Sequence, residues 1–456
     1  METEKLLEIA EITVKNAAKL KADQVQTVAF LIDTALTRYA NSQIHQNVAT
    51  KKGGVAVKVV TEKKIGTFRV NSMDKKQVSE AAKKALQIAS VTPPNKDFKS
   101  LPEPAEWSPI KNTYDRETAE STPDFRAEQV KAAIDAAHAT SPLVKAVAGS
   151  FGTESIAFAV ANSLGVSASA VISSTSFQTT VMSKSGNSQG YGSAEAHSRR
   201  IKEIDPVKTA EEAADTSVRS IGPAKTPAGE YQVVLSARAA ATFLDFLGFI
   251  GFSATSYQDG QSFVKYNLNK RVFDDKLTVT DDPRDPRTLY AFPIDSEGVP
   301  KQRMHLIKKG TVSENSICYD SYTAGKEGKN STGHSLSSIF GYGERPAPFN
   351  IVAAKGDASV EEMIEETDHG IYVTRFHYTN PSEPTKAILT GLTRDGTFAI
   401  ENGEITKPVM NLRYTDSMLS ALKEIPMIGK ESEVVDTIVT PAMKLTKLRF
   451  TGTTQY

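Results

Sequence analysis

The first half of this 456-residue chain repeats itself, and the repeat restricts the fold more than any other feature. Two Asn-Ser pairs, Asn41-Ser42 and Asn162-Ser163, stand 121 residues apart (162 − 41) in matching surroundings. A helical pattern at residues 4–20 leads to alternating strand patterns around the first pair, then to a helix at 74–91. A second helical pattern at 124–140 leads through strands around the second pair to a helix at 205–221. VSEAAKKALQIA from Val78 and VKTAEEAADTSV from Val207 share their spacing of Val and Ala. The chain therefore reads as two copies of a helix, antiparallel-strand, helix unit. The strands rest on period-two alternation, clearest in GVAVKVV (54–60) and SIAFAVANS (155–163), because successive strand side chains point to opposite faces. Asn41 and Asn162 are expected at turns, where an Asn side chain bonds nearby backbone. Asp74 and Asp205 are expected to cap the helices that follow them.

A chain this long exceeds the roughly 250 to 300 residues at which a single core stops growing, so two domains are expected. Residues 1–224 hold the repeat units (1–91 and 121–222), joined by a connector at 92–120; residues 225–456 make the second domain. The connector includes VTPPNKDFKSLPEPAEWSPI, whose five prolines favour extended backbone and whose Trp107, the only tryptophan, offers one anchor. The boundary falls in IGPAKTPAGE (221–230), and beyond it the pattern is β-rich, with helices only at 237–248 and 360–366. Asp395-Gly396 and Asn402-Gly403 favour tight turns because they tolerate positive φ. Strands at 371–378, 387–393 and 397–401 are accordingly expected side by side or nearly so, with further hairpins at 297–301 and 309–311. The fold class is α+β: duplicated helix and antiparallel-strand units first, then a β-rich domain with few helices.

Basic and acidic residues balance at 54 each, so charge gives no reason to expect a nucleic-acid or anionic-membrane partner. The first twenty residues carry helical apolar spacing without an apolar signal-peptide core, and read as a domain helix. The longest apolar run, 246–252, is far short of the ~20 residues that span a bilayer. The one cysteine, Cys318, fits a reducing compartment and reads as a small buried hydrophobe between Ile317 and Tyr319. These features make a cytoplasmic setting the expectation.

None of the seven histidines stands in a tight metal motif. Arg375 and His377, read on one face of a strand at 371–379, would bind a carboxylate such as a peptide terminus through the guanidinium fork. The plainer alternative is a strand-face pair bonded to backbone or solvent. The segment YDSYTAGKEGKNSTGHS (319–335) is the best loop candidate. Thr323 and Asn330 stand where a phosphate loop needs Gly and Ser or Thr, so it is not one. Ser331 and His334 would line a cleft and hold a peptide, or the loop is only a connection. His197 and Ser198 lack a third orienting residue of evident position, and SMDK (72–75) is a helix start.

LTRYANSQIHQN (36–47), GVAVKVV followed by IGTF, EYQVVL with FLGFIGFSA, DSEGVP (295–300), STGH, and LTGLTRDGTFAIENGEITKPV (389–409) follow one another along the chain. In this order these segments resemble the PmbA/TldD family, also called modulators of DNA gyrase. Metal-binding members carry HExxxH on the helix after EYQVVL and a late cysteine ligand. Aligned to this chain, the three helix positions fall on Asp245, Phe246 and Ile250, of which only Asp245 has a donor. PMIGKESEVVDTIVTPAMKLTKLRF (426–450) contains no cysteine. The resemblance thus implies the metal-free PmbA or TldE type, a non-catalytic subunit without a cofactor of its own. It would engage unfolded or leader peptides beside a zinc-bearing TldD-type partner, or as a homodimer. Two alternatives stay open: an active hydrolase with a relocated site drawn from His334, His369, His377, Asp245 and Cys318, and a stand-alone peptide-binding homodimer.

Overall fold

The computed structural model describes residues 2–20, 22–337 and 345–454. The repeat appears as α1 (Glu2–Ala18), β1 (Gln24–Ala40), β2 (Gln43–Thr61), β3 (Lys64–Val70) and α2 (Lys75–Val91). After a short α3 (Arg116–Ala119) the order recurs as α4 (Pro123–Thr140), β4 (Val144–Asn162), β5 (Ser167–Ser185), β6 (Ser188–Ser198) and α5 (Pro206–Arg219). The strands make one antiparallel sheet, β3-β2-β1-β4-β5-β6. Both copies therefore share a sheet, joined where β1 pairs β4 from Gln26 opposite Asn162 to Tyr39 opposite Gly149.

Local chemistry explains the boundaries. Asn41 and Ser42, at φ 50° and 60°, turn β1 into β2, and the Asn162 side chain accepts the N–H groups of Leu164 and Val166. Asp74 and Asp205 cap α2 and α5 by accepting backbone N–H bonds in the first turn. Gly66 on β3 and Gly192 on β6 occupy comparable places: a Cβ on either would lie 2.0 or 2.1 Å from a carbonyl oxygen, of Ala85 on α2 or Ala213 on α5. These two glycines let small-residue helix faces lie close on the sheet.

Alternation divides β4 between two cores. Val147, Phe151, Ala157, Ala159 and Ala161 join clusters under the helices. Ile156, Phe158 and Val160 join a cluster on the opposite face with Phe292 and Ile294 from the second half, and Trp107 packs against its margin. The face left bare by the helices is thus covered by the rest of the chain.

The second half is organised by β20 (Ile438–Thr453), preceded by β7 (Gly229–Leu235), β8 (Val279–Asp281), β9 (Met304–Ile307), β10 (Ser335–Leu336), β11 (Arg345–Pro346) and β12 (Ile351–Ala353). Then follow β13 (His369–Val373), β14 (Phe376–Glu383), β15 (Ile388–Thr393), β16 (Thr397–Glu401), β17 (Glu404–Pro408), β18 (Leu412–Ser417) and β19 (Met427–Val435). The main path is β14-β15-β18-β20-β7-β13-β16-β17, and β12 and β19 also pair β20. Helices are α6 (Ala237–Gly251), α7 (Ala254–Gln258), α8 (Ser321–Lys326), α9 (Val360–Glu365) and one short turn near 420. The molecule is α+β with a β-rich second half.

Two expectations need correction. The strand expected at 371–378 breaks at Thr374-Arg375 into β13 and β14, which pair different neighbours. The halves still lie beside the expected strands, β13 pairing β16 and β14 pairing β15, but β15 and β16 are far apart, with β18, β20, β7 and β13 between them. Asp395-Gly396, both at positive φ, redirects the chain across the sheet, whereas Asn402-Gly403 closes the β16–β17 hairpin.

Candidate functional site

Helix α6 leaves the central strand β7 directly. Ser236 caps it by accepting the Ala239 N–H, and its own hydroxyl donates to the Thr374 carbonyl at the β13–β14 break. Most of its surface is interior: Phe243 stacks on Phe376 with ring centroids 4.8 Å apart, and Leu244, Leu247 and Ile250 lie in the main core. Gly248 and Gly251 admit Ile351 and Phe263 where a Cβ would collide. Asp245 and Phe249 are its exposed side chains, and Phe246 is half-buried.

Asp245 faces a cleft of about 290 Å³ between α6, β14 and the β19–β20 turn, with His377 and Asp436 also in its walls. It keeps solvent contact, yet the cleft walls remove enough water, with Asp436 adding repulsion, to raise its carboxyl to about 6. Asp436 also lines a neighbouring cavity of about 420 Å³ with Glu154, Glu195 and His197, and His197 reaches a third of about 490 Å³. Burial raises the Asp436 and Glu154 carboxyls, each with another carboxylate adding to the rise. Glu195 goes the other way: burial opposes its ionisation, but His197, Arg238 and Arg375 outweigh it. The cleft is polar, acidic on balance and bordered by strand edges.

The peptide-binding candidates do not converge. His334 has no exposed surface; its Nε2 lies 2.8 Å from Asp281 and its Nδ1 2.9 Å from the Thr332 hydroxyl. Asp281, also enclosed, accepts the Phe349 and Asn350 N–H groups and lies 4.0 Å from the Lys301 ammonium. Burial opposes its charge, yet Lys301, His334 and the amides hold it down to about 2. Ser331 is tied into its own loop, donating to Tyr319 and accepting from Gly333. Within the segment around it, Asp320 caps the short helix α8. Arg375 does not share a strand with His377; it sits at the break, its guanidinium engaged by Asp395. His377 alone of the four lines the α6 cleft, where burial and nearby Arg375 and Arg394 lower its pKa. Glu195 and His197 stand two apart on one face of β6, 3.7 Å from each other, whereas Asp436 joins them only through the packing of β6 on the β19–β20 turn, which leaves no signal in sequence.

The zinc that the resemblance associates with this helix does not fit the side chains present. Asp245 offers a carboxylate, but Phe246 and Ile250 carry no donor, and Ile250 is packed in the core. Among the described residues, no three His, Cys, Asp or Glu side chains are grouped to hold a metal ion. Cys318 is enclosed and its thiol pushed well up by burial, while His369 stands exposed on β13. Of the candidates for a relocated site, Asp245 and His377 share the α6 cleft, while His334, His369 and Cys318 are not among its lining residues.

Comparison with known families settles the kinship. Residues 116–221 match the PmbA/TldA metallopeptidase central domain, and residues 228–452 match the C-terminal domain of the same family. The chain belongs to the PmbA/TldD family. The Haemophilus influenzae protein named Metalloprotease PmbA homolog is 23% identical over 95% of this chain and 93% of its own length. The Escherichia coli O157:H7 Metalloprotease PmbA is 28% identical over 42% of this chain. Matches to that protein and to two other relatives, one named Metalloprotease and one Metalloprotease TldD homolog, span 39%, 46% and 54% of their lengths, about half. In three dimensions TldE from Thermococcus kodakarensis superposes with a TM-score of 0.90 over 97% of this chain and all of its own, at 20% identity. No described helix is long and apolar enough to cross a membrane.

Proposed function

We propose that this PmbA/TldD-family chain is a metal-free, non-catalytic subunit of a cytoplasmic metalloprotease assembly. It engages unfolded or leader peptides for cleavage by a zinc-bearing family partner. The observation that carries this reading is the donor set on α6, where one carboxylate, one half-buried phenyl ring and one core isoleucine occupy the metal-ligand positions. A peptidase of this kind needs about three protein ligands and a metal-activated water. A subunit lacking them still contributes by orienting an extended peptide along strand edges and keeping folded chains out. The acidic cleft beside Asp245 and Asp436 is where the peptide would lie.

The reading is tested with a fluorescently labelled unfolded peptide and the purified full chain, with and without added zinc. Anisotropy is expected to show binding, mass spectrometry is expected to find the peptide intact, and adding an HExxxH-bearing relative is expected to start cleavage. Chelator-sensitive cleavage by the chain alone would overturn it in favour of a relocated site.

A further inference from the structure

Two family-like segments, DSEGVP and STGH, are not used by the α6 cleft. They meet elsewhere: Asp295 accepts the Ser335 N–H, and Ser296 donates to the Ser335 carbonyl. Gly333, at φ 72°, allows this approach, since a Cβ there would lie 2.2 Å from the Pro300 carbonyl oxygen. Their junction forms one wall of a pocket of about 250 Å³ between the two sheets. The opposite wall is the helix-free face of the first sheet, where Gln26 on β1 stands directly across from Lys58 on β2.

The pocket is built from inward-facing groups. Glu297 is 5% exposed and its Oε2 accepts the Ser321 N–H; Asp320 lines the same wall. Asp295 lies behind Glu297, its carboxylate already accepting the N–H groups of Glu297, Val299 and Ser335. Burial raises both carboxyls, and the Glu297 charge adds to the rise at Asp295. Two acids, Glu297 and Asp320, thus line the pocket with one cation, Lys58. Gln26 supplies the independent sign of an occupant: it is 5% exposed, lines the cavity, and its Oε1 is buried without a hydrogen-bond partner. An orphaned buried acceptor is a cost to the folded chain that a donor in the cavity would remove. Val28, Ile65, Phe98 and Leu101 provide an apolar side. Excess acid, an acceptor without a donor and an aliphatic wall together specify a cationic donor carrying a small hydrocarbon group.

We propose that this pocket binds a small primary amine of amino-acid size, its ammonium held by Glu297 and Asp320 and donating to the Gln26 carbonyl oxygen. The site is separate from the α6 cleft and shares no lining residue with it.

The probe is L-leucinamide, with N-acetyl-L-leucinamide as the uncharged control, added to the full chain in thermal-shift and calorimetric titrations. Leucinamide is expected to raise Tm with concentration by mass action, and the acetylated compound is not. Glu297→Gln is expected to weaken leucinamide binding at least about tenfold, in line with loss of a charged hydrogen bond. Gln26→Met removes the orphaned oxygen with little change of shape, should leave the fold intact and should weaken binding severalfold, so it serves even if Glu297→Gln fails to fold. Equal responses to the two compounds, no response to leucinamide, or unchanged affinity in Gln26→Met would overturn the proposal. A Tm rise with calcium chloride alone that matches leucinamide would also overturn it, by making this an inorganic-cation site.

Discussion

At the scale of single residues, two aspartates have opposite environments and opposite pH signatures. Asp245 has its carboxyl raised from 3.8 to about 6, so its ionised form is less comfortable in the folded chain than in the unfolded one. Wild-type stability therefore falls as pH rises from about 4 to 6. Asp245→Asn is expected to match wild type in Tm near pH 4 and to exceed it at pH 7; a constant difference across that range would count against the cleft electrostatics. Asp281, lowered from 3.8 to about 2, stabilises the fold above pH ~4, and that contribution fades as pH falls toward 2. Asp281→Asn breaks a buried charge network and is expected to cost about 3 to 5 kcal/mol in denaturant unfolding at pH 7. The sequence disclosed the first case better than the second. Asp245 is visible as the one donor on a helix lacking its metal ligands, whereas the partner that encloses His334 lies 53 residues earlier and leaves no local trace.

At the scale of elements, the repeat, both caps and the repeat helices with α6 and α9 were legible because each rests on short-range signals: alternation, capping side chains and turn residues; α7, α8 and the turn near 420, expected as β-rich, were not. Gly66 shows what such signals omit. In sequence it is an ordinary glycine in IGTF, yet it sets how closely α2 approaches β3, since a Cβ would lie 2.0 Å from the Ala85 carbonyl oxygen and 2.4 Å from the Ala89 nitrogen. Gly66→Ala must push the helix outward and is expected to lower stability by about 1 to 3 kcal/mol, as overpacking does. A Tm equal to wild type would mean that α2 is free to shift. The second sheet was legible strand by strand but not in order. Turn signals at Asp395-Gly396 and Asn402-Gly403 look alike locally, and only long-range pairing makes one a crossing between distant strands and the other a hairpin.

At the scale of the whole molecule, one physical arrangement governs both cavities. The duplicated sheet places its helices on one face and offers the other to the β-rich half, sealed by Phe158 against Phe292 with ring centroids 5.1 Å apart. The two halves leave a polar pocket at Gln26 and Glu297, and an acidic cleft where the β19–β20 turn reaches toward β6 and α6. TldE from Thermococcus kodakarensis shares this architecture, while the α6 positions here carry side chains that cannot ligate zinc as a set. The claim that most depends on this is that the chain contributes to proteolysis without its own metal. Its most direct test is the zinc content of the full-length chain, purified without chelator, dialysed against equimolar zinc and measured by mass spectrometry of the metal. The expected result is far less than one zinc per chain, unchanged in Asp245→Asn. Close to one zinc per chain, lost when Asp245 is replaced, would contradict it.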